Sequence, residues 1–442
     1  MRTARGVAVL LVIVLGAAGC GGEDEDATTG PGPVDRTGRT APDIATGGWL
    51  DDAGAEVWAH EEGEAGAAAE GAAGDADIAT SELGSAAEVS STGEGVESAA
   101  PAPSGDEAAE PSSGLRAGSV DDNAAWADYL RYREEMARLG IGARDIAVDD
   151  RRVVTVVDSD GQPLLGAVVR AGDQEVRTAA DGRALLFGPL DGEVEAVWQG
   201  VSAIAPVEGD QQRFVLDVER AEGGARLDLH FLIDTTGSMS DEIDRLKDNA
   251  ESVARRIASL PSGPDLHLGM TVYRDRGDAF VTRTFDFTSD VEAFAAALDE
   301  VQAGGGGDVP EDLNAGLHDA LHAPTWRGDD TVKLLFLIAD AAPHLDYGDG
   351  PDYVDDVRRA AQRGVKISPV ASSGLDDVGE LVFRQLAQVT MGRFTFLTYG
   401  ADGASPGETT SHHVSEYAVL ALDDLVVRMV EDELGHLAVG GQ

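Results

Sequence analysis

The chain has 442 residues, with 33 Lys and Arg against 81 Asp and Glu, for a formal net charge of −48 at pH 7. That charge excludes a nucleic-acid partner, which would be repelled rather than steered in, and disfavours anionic membrane surfaces. A single cysteine excludes both an intrachain disulfide framework and any zinc site built from several thiolates. Hydrophobic residues make up 43% of the chain, enough for a core, but 55 glycines and only 5% aromatics put part of it outside that core.

Residues 1–5 are a short basic start, residues 7–15 an apolar run too short to span a bilayer, and residues 16–19 are small, leading into Cys20. The Leu-Gly-Ala-Ala-Gly-Cys stretch resembles the lipobox of bacterial lipoproteins. That resemblance implies a signal peptide over 1–19, cleaved before Cys20, and lipid attached at Cys20. The protein would then sit in the bacterial cell envelope, extracytoplasmic, at the outer membrane or cell surface, touching membrane through its anchor only.

Residues 20–122 read as a disordered acidic linker rich in Ala, Gly and Ser. Between 21 and 120 there are 22 Asp and Glu against 3 Arg, with no sustained helical or strand periodicity. Such a segment buries too little apolar surface to offset its chain entropy. A flexible chain of this length spans about 50–60 Å, more when its charges repel. Trp49-Leu50 and Val57-Trp58 are isolated apolar spots, read as incidental residues in a disordered chain rather than a docking motif.

Residues 123–149 predict a connecting helix, capped by Asn123, with Trp126, Tyr129, Leu130 and Met136 on one face and Gly140 ending it. Short β-branched runs separated by Asp-Gly turns then predict a small β-sandwich over 150–220. The wording from Asp160 to Val169 and from Thr178 to Ala184 resembles the carboxypeptidase-regulatory-like, transthyretin-like sandwich. This implies a spacer or carbohydrate-binding-like module without chemistry of its own.

Over 225–435 strand and helix patterns alternate, which predicts a mostly parallel, doubly wound α/β (Rossmann-like) sheet. The run from Val332 to Ile338 is apolar but for Lys333, as suits a strand covered on both faces. A long closing helix is predicted over 413–434. Ligands of such sheets bind beyond the carboxyl ends of the strands. The polar residues gather there: Asp234, Thr236 and Ser238 after the first strand, the Gly304–Gly307 run with Asp308 and Glu311 in a second loop, and Asp340 after the buried fourth strand. Hard oxygen donors of this kind suit a divalent cation, Mg²⁺ first, with Ca²⁺ or Mn²⁺ as alternatives. The competing interpretation is a degenerate site, in which the same residues cap helices and satisfy loop backbone.

These three loops resemble the metal-ion-dependent adhesion site of the von Willebrand factor A (vWA) family. Asp234, Thr236 and Ser238 match its first loop and Asp340 its third. Asp308 stands where many members offer Thr. The Gly-Gly-Gly-Asp-x-Pro-Glu form, with Tyr273-Arg274-Asp275, looks like a subgroup that includes extracellular-matrix and alpha-kinase-linked A domains. The resemblance implies a protein-binding module, not an enzyme. A partner carboxylate completes the coordination of the cation, in adhesion or envelope assembly. Asp308 adds negative charge, which favours Ca²⁺ or Mn²⁺, or a structural ion, over one eager for an anionic partner. The acidic surface also admits a partner with a basic surface.

Two other readings stand beside this one. The first is a scaffold lipoprotein with a non-exchangeable or degenerate metal site. The second is a metallohydrolase, prompted by His318-Asp-Ala-Leu-His322, which has two histidines at helical spacing but no third ligand evident in the sequence. The histidines read better as a half-exposed helix face. Residues 344–356 read as a solvated Asp-rich loop capping the next helix, His412-His413 as loop, and Gly304–Gly307 as a flexible turn without a nucleotide cradle's lysine.

Overall fold

The computed structural model describes residues 49–51, 56–57, 115–148, 150–220, 223–307, 309–398, 409–414 and 416–438. The signal peptide, Cys20, most of the 20–122 linker and Asp308 lie outside the described residues.

The chain contributes strands β1 (Trp49–Asp51), β2 (Glu56–Val57) and β3 (Arg116–Val120), then helix α1 (Trp126–Leu139). Gly140, in the left-handed region at φ 77°, stops α1 as its pattern predicts. The buried face is Tyr129, Tyr132 and Met136 rather than one that includes Leu130. The i, i+3, i+7 spacing selects the second tyrosine.

Seven short strands come next: β4 (Arg152–Val157), β5 (Val168–Ala171), β6 (Gln174–Arg177), β7 (Arg183–Leu186), β8 (Glu193–Trp198), β9 (Val201–Pro206) and β10 (Gln211–Val215). They form a three-stranded sheet, β10-β4-β7, and a four-stranded sheet, β6-β5-β8-β9. Both contribute to one apolar cluster that includes Val154, Val156, Leu164, Val169, Leu186, Val194 and Phe214. This module is docked on the α/β region C-terminal to it rather than strung beside it. Arg177 pairs with Asp329 at 2.8 Å. A Cβ on Gly166, at φ +72°, would stand 2.0 Å from the Asp329 carbonyl oxygen, so only glycine allows the approach.

The remainder is β11 (Arg226–Asp234), α2 (Ser240–Ala258), β12 (Asp265–Tyr273), β13 (Thr282–Thr288), α3 (Val291–Asp299), α4 (Leu313–His322), β14 (Thr331–Ala339), α5 (Tyr353–Arg363), β15 (Val365–Ala371), α6 (Asp377–Thr390), β16 (Phe394–Leu397), β17 (Leu420–Ala421) and α7 (Leu422–Gly435). Strands β12, β11, β14, β15 and β16 are parallel neighbours, with β13 antiparallel at one side. All nine residues of β14 are buried, the expectation for a central parallel strand. Successive side chains go to opposite layers. Leu335 and Leu337 join Leu317, Val357 and Leu386 of α4, α5 and α6, whereas Leu334, Phe336 and Ile338 join Ile257, Phe294 and Val430 of α2, α3 and α7.

Three differences from the sequence expectation stand out. Arg116–Val120, assigned to the linker, is a full member of the sheet between β16 and β17. Its sequence, Arg-Ala-Gly-Ser-Val, has little strand propensity. It is admitted because Gly118 leaves room for the Phe396 ring, which a Cβ would meet at 2.7 Å. Trp49–Asp51 and Glu56–Val57 likewise extend the sheet edge beyond β13. The closing helix begins at Leu422 rather than 413, and residues 409–414 run as loop before it.

Candidate metal centre

Asp234 ends β11, and its carboxylate is fully buried. The chain turns at once: the Thr236 N–H donates to Asp234 Oδ1 at 2.9 Å and the Thr236 hydroxyl to the same oxygen at 2.7 Å. Both Thr235 donors, N–H and hydroxyl, reach the Tyr273 carbonyl at 2.9 Å, pinning this loop to the end of β12. A short 3₁₀ turn over Gly237–Met239 then presents Ser238, whose hydroxyl lies 3.5 Å from that of Thr236 and hydrogen-bonds Asp340. Asp340 directly follows β14. The structure therefore brings Asp234, Thr236, Ser238 and Asp340 together, from two loops far apart in the chain.

The glycine run is tightly held rather than a flexible turn. The Gly304 N–H donates to the Thr235 carbonyl at 3.0 Å, the Gly237 N–H to the Gly305 carbonyl at 3.2 Å, and the Gly306 N–H to Asp278 Oδ2 at 3.0 Å. Gly305 and Gly306 have φ of +75° and +65°. A Cβ on Gly305 would meet the Asp278 carboxylate at 2.3 Å, and one on Gly306 would meet Thr236 Cβ at 2.8 Å and Glu311 Oε1 at 2.9 Å. Glycine serves both the backbone conformation and the close approach.

That approach puts Glu311 at the site, a residue that belongs to the second-loop motif but that the sequence does not single out as a ligand. The signal is its place after Pro310; what sequence cannot show is that its backbone is locked. The Glu311 N–H donates to the Ala342 carbonyl and its own carbonyl accepts from the His344 N–H, both at 3.1 Å. Its carboxylate is thereby tied to the loop that carries Asp340.

Two buried carboxylate oxygens, Asp234 Oδ2 and Glu311 Oε2, have no donor in full hydrogen-bond geometry among the described residues; the buried Tyr273 hydroxyl, itself without one, is near enough to Asp234 to hold its carboxyl down in part. Burial drives the Asp234 carboxyl up to about 7, the nearby charge of Asp340 adds to this, and the Thr236 hydrogen bonds oppose it. Burial and the charges of Asp234, Asp275, Asp278 and Asp340 push Glu311 up to about 8. Burial raises Asp340 as well, against its bond from Ser238. Buried carboxylates that repel one another beside two hydroxyls are what an oxygen-seeking divalent cation would relieve, so the donor types fit Mg²⁺, Ca²⁺ or Mn²⁺.

The rim around these loops is built from the next turn of chain. His344 and Tyr347 stack with centroids 3.8 Å apart and planes at 8°, and the Arg276 guanidinium lies 4.0 Å above Tyr347. The Tyr347 hydroxyl donates to Asp275 at 2.9 Å, and Arg276 bonds Asp312 at 2.8 Å and Asp349 at 2.9 Å. The Asp-rich loop is thus used internally: Asp352 caps α5 through the Val354 N–H, and Asp346 accepts from His344. Val309 stands 70% exposed on the second loop, an apolar spot beside the carboxylates.

The family model of the von Willebrand factor A domain matches residues 228–373, which runs from within β11 through β15 and includes every described donor named above. Those residues carry a vWA domain. The chain is 30% identical over 140 residues to the alpha-protein kinase vwkA of Dictyostelium discoideum, 31% of this chain and 22% of that protein. It is 34% identical over 116 residues to the human von Willebrand factor A domain-containing protein 7, 26% of this chain and 12% of that protein. The chain thus spans less than a quarter of either relative's own length. Among solved structures, proximal thread matrix protein 1 from the mussel byssus aligns over 39% of this chain and 47% of its own at 13% identity, with a TM-score of 0.28, a likeness too slight to argue from.

Proposed function

We propose that this protein is a non-enzymatic binding protein whose vWA domain engages a partner protein at a divalent cation. Asp234, Thr236, Ser238 and Asp340 would hold the ion, with Glu311 beside them and Asp308 from the second loop. The observation that carries the reading is the buried Oδ2 of Asp234, without a donor in full hydrogen-bond geometry, facing further carboxylates at the carboxyl ends of parallel strands. When bound, the cation supplies an acceptor position for a carboxylate oxygen of the partner. Thr236 and the glycine run fix Asp234 and Glu311 in place. Val309 and the Arg276–Tyr347 stack offer apolar and cationic contact around them. The name of the human relative, a von Willebrand factor A domain-containing protein, is in keeping with a binding module.

In this reading Cys20 is acylated and holds the protein at the envelope, the acidic segment spaces it, and residues 150–220 are a carboxypeptidase-regulatory-like sandwich serving as a docked spacer. Among the described residues no helix is long and apolar enough to cross a membrane. A second reading is a scaffold that needs no exchangeable metal. It is favoured by the raised carboxyls, which let the site hold protons where an ion would otherwise sit. Calorimetric titration of the chain with Mg²⁺, Mn²⁺ and Ca²⁺, beside Asp234→Ala, separates the two. Binding that vanishes in the variant supports the metal centre, and no binding by the folded wild type leaves the scaffold.

A further inference from the structure

The pair His318 and His322 acquires in the fold the third ligand that the sequence does not show. Both lie on α4, one turn apart, and their rings stack with centroids 4.3 Å apart. Asp356, one turn into α5, enters from the facing helix. Its carboxylate lies 3.2 Å (Oδ1) and 3.3 Å (Oδ2) from His318 Nδ1, and Oδ1 lies 3.4 Å from His322 Nε2. One donor atom from each of the three residues falls within 4.8 Å of the others. We infer that His318, His322 and Asp356 form a second metal site, for a transition ion of the Zn²⁺ class, independent of the oxygen-lined centre.

The distances argue for it. Zn²⁺ holds nitrogen and oxygen donors at about 2.0–2.1 Å in a tetrahedron, which spaces neighbouring donors about 3.3 Å apart. The two imidazole–carboxylate separations that share Asp356 Oδ1, 3.2 and 3.4 Å, straddle that value. Two imidazoles and one carboxylate suit Zn²⁺, Co²⁺, Ni²⁺ or Cu²⁺, whereas Mg²⁺ and Ca²⁺ prefer all-oxygen shells. The exposure is graded in the sense such a site needs. The Asp356 side chain is 6% exposed and rigidly seated, whereas those of His318 and His322 are 43% and 37% exposed, which leaves an open side for a solvent or partner ligand. Asp319, between the histidines in sequence, is bonded by the Thr282 hydroxyl on β13 and so is committed away from the site. That removes the acidic residue a hydrolase of the His-Glu-x-x-His type would use as its base, so the site is one of binding. Arg363, whose guanidinium donates to the Leu321 carbonyl, adds an opposing charge at the edge. A bound ion would clamp α4 to α5.

The test is a Co²⁺ titration of the full chain, free of any histidine tag, followed by visible absorbance and then Zn²⁺ displacement. It is run on wild type, His318→Ala, His322→Ala, Asp356→Asn and Asp234→Ala. Because the two histidines are half exposed, their alanine variants keep the fold, which circular dichroism verifies. The expected result is one Co²⁺ with tetrahedral ligand-field bands, displaced by Zn²⁺ and untouched by excess Mg²⁺. Affinity should fall at least about tenfold in each of the three site variants and hold in Asp234→Ala. Absent bands, or binding that persists in both histidine variants, would overturn the proposal. Loss in Asp234→Ala alone would return the ion to the oxygen-lined centre and overturn it equally.

Discussion

Replacing Asp234 with Asn tests the electrostatics of the oxygen-lined centre directly. The asparagine carbonyl can still accept from the Thr236 N–H and hydroxyl, which bond a single oxygen of the native side chain. What disappears is the charge. In the folded chain burial, with Asp340 adding, lifts the Asp234 carboxyl from its ordinary 3.8 to about 7. A raised carboxyl means that the folded state keeps a proton the unfolded chain has released. The stability this confers is full below the unfolded value, near 4, and is lost as pH rises through about 7. Each decade of proton affinity is worth about 1.4 kcal/mol, so the ionised group costs the metal-free fold at most about 4 kcal/mol. With chelator present, Asp234→Asn should therefore exceed wild type by only about 1.6 kcal/mol near about pH 5 and by up to about 4 kcal/mol near pH 8. With millimolar Mg²⁺ the gap at the higher pH should narrow, because mass action stabilises only the chain that holds the ion. Urea unfolding followed by tryptophan fluorescence, at both pH values and with and without Mg²⁺, reads all four conditions. A variant no more stable than wild type at the higher pH in chelator would refute the burial-and-repulsion account. Equal gain from Mg²⁺ in both chains would refute the assignment of Asp234 as a ligand.

Glu311→Gln should weaken divalent-cation binding at least about tenfold by calorimetry, since Glu311 shares the cluster and its orphaned oxygen. Unchanged affinity would remove it from the site. Gly306→Ala must hold a Cβ at φ +65° against Thr236 and Glu311, so it should lose about 1–2 kcal/mol or more of stability together with metal affinity. A variant with wild-type binding would show that the loop can move aside. Arg384 is buried between Asp122, at 2.6 Å, and Glu380, at 3.2 Å. Arg384→Met strands two buried carboxylates and should cost about 3–5 kcal/mol in urea unfolding, and a loss below about 1 kcal/mol would contradict this. Burial pushes Glu380 up, but its bonds to His412 and the His413 N–H, with Arg384's charge, bring it down to about 2. That depressed carboxyl contributes stability above its ordinary 4.5, lost as pH falls toward 2. In urea unfolding Glu380→Gln should accordingly be less stable than wild type at neutral pH, and the gap should close as pH falls toward 2; a gap independent of pH would contradict this.

Local chemistry is enough to read much of this protein from its sequence. The run of β14, apolar but for Thr331 and Lys333, the caps at Asp290, Asp352 and Asp376, and Gly364 closing α5 each encode their element through contacts a few residues apart. For the same reason Asp234, Thr236 and Ser238 are legible: one loop holds all three. Asp340 is legible because it follows the most apolar strand. What only the tertiary structure decides depends on pairs remote in the chain. The Arg116–Val120 strand exists because β16 and β17 supply its hydrogen bonds and Gly118 yields space to Phe396, none of which its own weak pattern encodes. Glu311 joins the carboxylates because Ala342 and His344 lock its backbone. Asp356 meets His318 and His322 because α5 packs against α4. Periodicity and capping report what a residue's near neighbours do, whereas convergence of charged groups is set by the sheet that carries their loops to one place.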